Sequence, residues 1–85
     1  MLSKEEFVKK IKDEAKQPSR WVVITQRGRI WGTDASVSNL LSSGGKMFIL
    51  DAESTRKGNF QIMDFASNMF VDLDYCYQKY QQYLD

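Results

Sequence analysis

The stretch SNMFVDLDYCYQKYQQYL, residues 67–84, decides how many strands this chain has, because two incompatible periodicities run through it. Met69, Leu73, Cys76, Tyr77, Tyr80, Tyr83 and Leu84 fall within an arc of roughly 120° when wound at the helical period. Met69, Val71, Leu73, Tyr75 and Tyr77 also alternate with polar or small residues from Asp72 onward, the period of a half-buried strand. One backbone cannot obey both. From Tyr80 on, the segment is helical under either reading. The expectation is a helix over about 67–84, capped by Ser67, with Asp72 and Asp74 near its positive end. A fifth strand at 68–73, followed by a shorter helix, is the alternative.

Moving upstream, Asn59–Asp64 reads as a strand returning from a polar loop at 52–58, and Lys46–Asp51 reads as the buried strand it returns along. Asp34–Gly45 is rich in serine, yet Val37, Leu40 and Leu41 keep helical spacing. Ser36 is placed to cap a short helix at about 36–42, with Gly44 or Gly45 to close it. Ser42-Ser-Gly-Gly-Lys46 has the glycines and lysine of a phosphate loop. Here, however, the lysine is followed by Met47 and a strand instead of Ser/Thr and a helix, so a helix stop and turn is the better account.

Trp21–Thr25 is β-branched and aromatic on both faces, and Gly28 supplies the positive φ of a reversal into Arg29–Thr33. The first helix, at about 4–16, carries the plainest local signals. Ser3 and Glu6 form a capping box, Leu2 and Phe7 a hydrophobic staple, and Phe7, Val8, Ile11 and Ala15 one apolar stripe that Pro18 terminates. The order is therefore helix, hairpin, short helix, hairpin, helix. That order predicts a single α+β domain over residues 1–85. Its antiparallel sheet has four strands from two hairpins, or five on the strand reading above, with the N- and C-terminal helices packed on one face and a short helix between the hairpins.

Eighty-five residues allow one modest core, and 42% hydrophobic content is too apolar for disorder. A net charge of +1 argues against an obligate polyanion binder. The charge is uneven, though: nine Lys/Arg against five Asp/Glu over residues 1–46, and three against six over 47–85. The longest apolar runs, Val22–Ile24 and Met47–Leu50, fall far short of the roughly 20 residues of a membrane span. With a lone cysteine, Cys76, and no secretory pattern after Met1, a reducing cytoplasm is the expected setting.

Histidine is absent, which removes the commonest general base and transition-metal ligand. One cysteine without histidine cannot supply the four ligands of a structural zinc site, and Cys76 lies on the apolar stripe. Asp72 and Asp74 diverge if helical, so no metal, cofactor or catalytic residue is assigned. What stands out is a surplus of the residue types that dominate protein-binding hot spots. Arg27 at a turn tip, Arg29 and Trp31 on one strand face, Arg20 just before the hairpin and Tyr75 on the polar side of the last helix are the candidate partner-binding residues. Trp31 decides the hairpin's role: core if it faces the helices, a contact site if it lies beside Arg29 in water.

These features predict a small non-catalytic protein-binding module of adaptor or inhibitor type, of a size that suits a bacterial or phage accessory protein. Its partner is a protein, a second copy of the chain included. A nucleic-acid binder using the basic aromatic hairpin at 20–34 is the alternative, because rings flanked by guanidinium groups also stack single-stranded bases.

Overall fold

A computed structural model describes residues 2–84, with side chains through residue 82. In chain order the elements are α1 (Lys4–Glu14), β1 (Trp21–Thr25), β2 (Ile30–Thr33), α2 (Val37–Ser42), β3 (Lys46–Asp51), α3 (Ala52–Arg56), β4 (Ile62–Asp64), β5 (Met69–Val71) and α4 (Leu73–Leu84). The strands form one antiparallel sheet in the order β2-β1-β3-β4-β5, so β2 and β5 are its two edges.

The contested C-terminal stretch divides: its first part is strand and its second helix, in place of the continuous helix expected over 67–84. The physical reason is a tight reversal after β4. Asn68 adopts φ 60°, a left-handed conformation that asparagine tolerates better than most side chains, and its N–H donates to the Asp64 carbonyl at 2.8 Å. The chain is thereby laid antiparallel to β4, with Ser67 inside the turn. Asp72, and not Ser67, starts the helix, its Oδ1 accepting the Tyr75 N–H at 2.8 Å. Met69, expected on the inward stripe, is consequently an exposed edge-strand residue. The expected inward positions of Tyr83 and Leu84 lie outside the described side chains.

A second correction concerns residues 52–58, expected as a polar loop. Ala52–Arg56 is instead a short helix. Asp51 caps it by accepting from Ser54 N–H at 3.2 Å, and the Thr55 hydroxyl donates back to the Asp51 carbonyl at 2.7 Å. The following strand is shorter than expected, beginning at Ile62. The first helix matches its signals, ending at Glu14. Ser3 Oγ accepts from Glu6 N–H at 3.2 Å, and Glu6 Oε1 accepts from Ser3 N–H at 2.9 Å.

Register assigns each strand residue to a face. Val22, Leu50, Ile62 and Val71 stand opposite one another, with Ile24 beside Phe48 in the neighbouring row. This face is covered by α1 and α4, whose Phe7, Ile11, Ala15, Cys76 and Tyr80 complete the main core. Phe7 is its aromatic centre, 5.2 Å from the Tyr77 ring and 4.6 Å from the Tyr80 ring. The Tyr77 hydroxyl donates to the Leu2 carbonyl at 2.7 Å, keeping its polar tip satisfied. Among the described residues, no helix is long and apolar enough to cross a membrane.

Candidate functional site

The opposite face of the sheet is only half covered. Trp31, Val23, Ile49, Met63 and Phe70 form one row across all five strands. Among the described residues the only helix over this row is α2, six residues long, whose Leu40 closes a small cluster with Val23 and Ile49. It shelters the β1–β3 half and leaves the β4–β5 half open. Between the two runs a trough of about 260 Å³, with Ile49 and Met63 lining its floor, Val37 and Phe70 its sides, and Trp21, Asp51 and Gln61 completing its rim. Val37 is 42% exposed and Phe70 is 68% exposed. Scattered single apolar residues on a surface need no explanation; here several gather around one concavity.

The candidate residues named from sequence separate into three places. Arg27, Arg29 and Trp31 come together at the tip of the β1–β2 hairpin. The turn is closed by Gly28 N–H to the Thr25 carbonyl at 3.0 Å and by Thr25 N–H to the Arg29 carbonyl at 2.9 Å, with Gly28 at φ 83°. Arg29 Cζ lies 4.7 Å from the Trp31 ring, a cation–π pair on an exposed rim. Trp31 itself is half-buried against the small cluster under α2, so it is part packing and part surface. This tip and the Gly44–Gly45 turn, joined by the Gln26 N–H donating to the Gly45 carbonyl at 3.0 Å, line a hollow of about 570 Å³.

Arg20 is not part of that group. It precedes β1, at the far end of the strand from Arg27, beside a hollow shared with Asp51, Glu53 and Arg56. Tyr75 is 38% exposed, with Lys79 Nζ 5.7 Å from its ring centroid. It borders a third hollow, of about 260 Å³, next to Lys46, Phe65 and the buried Asp64. Asp64 Oδ1 accepts from Ala66 N–H at 2.9 Å, which anchors the turn into β5.

Cys76 is buried, and burial, reinforced by the nearby Asp64 charge, pushes its thiol well above the ordinary range. A thiol in that state is a small hydrophobe and not a nucleophile. Asp74 pairs with Lys4, and Asp72 caps α4, so both carboxylates have structural partners. No group of three His, Cys, Asp or Glu side chains converges on a metal-sized site among the described residues.

Phe70 is the residue that sequence reasoning missed. Its exposure follows from β5 being an edge, which depends on strand order and has no local signature. The only available signal was the strand alternative itself, which puts Met69 and Phe70 on opposite faces and so off a single inward stripe. No family model, characterised protein or solved structure matches this chain.

Proposed function

We propose that this chain is a non-catalytic protein-binding module, of adaptor or inhibitor type, that docks on its partner through the open half of the second sheet face. The observation that carries this reading is the apolar trough flanked by Val37 and Phe70, with Phe70 68% exposed. Burying a phenylalanine of that exposure in a partner contributes roughly 1.5–3 kcal/mol, enough to act as an anchor. Asp51 and Gln61 at the rim offer polar contacts that fix orientation. The buried free Cys76 supports a reducing, cytoplasmic setting.

The Arg29–Trp31 pair favours a second reading, single-stranded nucleic acid bound at the hairpin tip. Its guanidinium already occupies one side of the ring, and displacing it forfeits about 0.5–1 kcal/mol against the roughly 1–3 kcal/mol a stacked base returns. That balance is favourable but narrow, and the near-neutral net charge of +1 works against a polyanion.

Affinity capture from the native host, followed by mass spectrometry, separates the readings when run with three baits. The parent and the Arg27→Ala/Arg29→Ala variant should retain the same protein, and Val37→Glu should lose it. Retention by Val37→Glu with loss by the arginine variant would reverse the assignment. In titrations a protein complex anchored in the trough should change little with salt, whereas a nucleic-acid complex should weaken steeply as counterions rebind.

A further inference from the structure

We propose that the β5 edge is a self-association surface, along which two copies of this chain pair antiparallel and merge their sheets into one of ten strands. The inference goes beyond the docking role of the trough and does not depend on it.

In an antiparallel sheet, alternate residues of an edge strand turn their N–H and C=O groups outward. Those of β5 have no strand partner beyond β4 among the described residues. Edges left free in this way are ordinarily blunted by shortness, charge, proline, a bulge or a covering element. Shortness is the one such device β5 has: Met69-Phe70-Val71 carries no charge and no proline and pairs with β4 without a bulge.

Docking in the trough accounts for the exposure of Phe70 but not for that of Met69. Phe70 shares its face with Met63, while Met69 shares the other with Asp64, and the two are 68% and 64% exposed. A partner lying on one face of the sheet covers only one of them. A strand added alongside covers both. It also fills the shallow apolar hollow of about 290 Å³ at this edge, between Phe60, Ile62, Phe70 and Val71.

A second copy fits that place because the strand is complementary to itself. With the twofold axis at Phe70, the middle residue, Phe70 meets Phe70 and Met69 meets Val71. Phenylalanine pairs and aliphatic pairs are favourable cross-strand neighbours. Sliding the register until Asp72 meets Asp72 opposes like charges, so the centred register is preferred. The row Trp31–Val23–Ile49–Met63–Phe70 then continues without a break into its copy. A contact built on a three-residue strand falls at the small end of specific interfaces, so the dimer is weak and dissociates on dilution.

Sedimentation of the parent chain from about 10 µM to about 1 mM, the range in which so small an interface associates, should show a monomer converting to dimer. Met69→Lys should stay monomeric throughout. Register is read by mixing Met69→Cys with Val71→Cys under mild oxidation. The heterodisulfide should form roughly tenfold faster than a disulfide from Leu41→Cys, which is 63% exposed on α2 and remote from the edge. Buried Cys76 leaves this reading clean. A parent that remains monomeric at about 1 mM overturns the proposal, as do equal rates for the edge and α2 cysteines. Either failure leaves the Val37→Glu capture result standing on its own.

Discussion

The two edges of this sheet received opposite treatment. At β2, the Gly32 N–H, which has no strand to reach, donates to Glu14 Oε1 at 3.1 Å, and the last turn of α1 lies against the strand. The approach is so close that a Cβ on Gly32 would clash with the Glu14 carbonyl oxygen and with Ser19 Oγ. At β5 nothing comparable exists among the described residues, and two large apolar side chains stand in the open. An edge closed by a helix protects the monomer, whereas a bare one leaves its backbone groups and side chains to solvent.

The largest expected effect comes from undocking the helix that closes β2. Phe7 is fully buried and holds α1 on the core, so Phe7→Ala should cost roughly 3–5 kcal/mol in denaturant unfolding. It should also speed amide exchange at Gly32, because Glu14 is carried on the same helix. A loss below about 0.5 kcal/mol would mean α1 is only loosely attached. Gly32→Ala attacks the closed edge directly. Both atoms it meets are close and one is backbone, so a loss of about 3 kcal/mol is expected, at the upper part of the overpacking range.

Glu14→Ala leaves the Gly32 amide without its acceptor and should cost about 1–2 kcal/mol. The same residue gives the closed edge an acid-side signature. The Gly32 N–H, its largest influence, holds the Glu14 carboxyl below its ordinary value of 4.5, while partial burial pushes the other way. A carboxyl with a lowered folded pKa stabilises fully above its unfolded value, and that contribution is lost as pH falls below 4.5 through the folded value. Glu14→Gln, whose amide oxygen still accepts, should therefore flatten the stability profile on that acid side. The smallest effect belongs to the open edge. Met69→Lys, measured in dilute solution, should change stability by no more than about 0.5 kcal/mol, as for other exposed positions. A large loss there would show that β5 is held by its own side chains and erase the contrast with β2.

Much of this architecture was legible in the sequence where the signal was local. Ser3, Glu6, Phe7 and Ile11 specify α1 from neighbours within one or two turns, and Gly28 marks its hairpin by backbone need. The β5–α4 boundary was harder because Met69 lies four residues before Leu73 and extends the helical stripe backward by coincidence. Asp72 was the real cap, and Asn68 supplied the turn that broke the periodicity. Helix α3 escaped notice because Ala-Glu-Ser-Thr-Arg has no apolar period. Asp51 before it and Gly58, with φ 82°, after it were the available start and stop signs. For the candidate site, composition pointed to Arg27, Arg29 and Trp31, which do converge. It could not separate Arg20 from them, nor reveal Phe70, since both depend on where strands lie and not on what they contain.

Arg56 Nη1 donates to the Ala15 carbonyl at 2.6 Å and to the Ser19 carbonyl at 3.3 Å, joining α3 to the chain between α1 and β1. Those partners lie 41 and 37 residues away in sequence, so the clasp cannot form until β3 and α3 are in position. Bringing such distant groups together carries a loop-closure cost that the finished contacts must offset. Until the clasp forms, the segment that delivers Glu14 to Gly32 lacks this tie, and the cover over β2 is the weaker for it. A chain caught in that interval would offer a second open edge besides β5, and on the pairing proposed above such copies would string together instead of stopping at a pair.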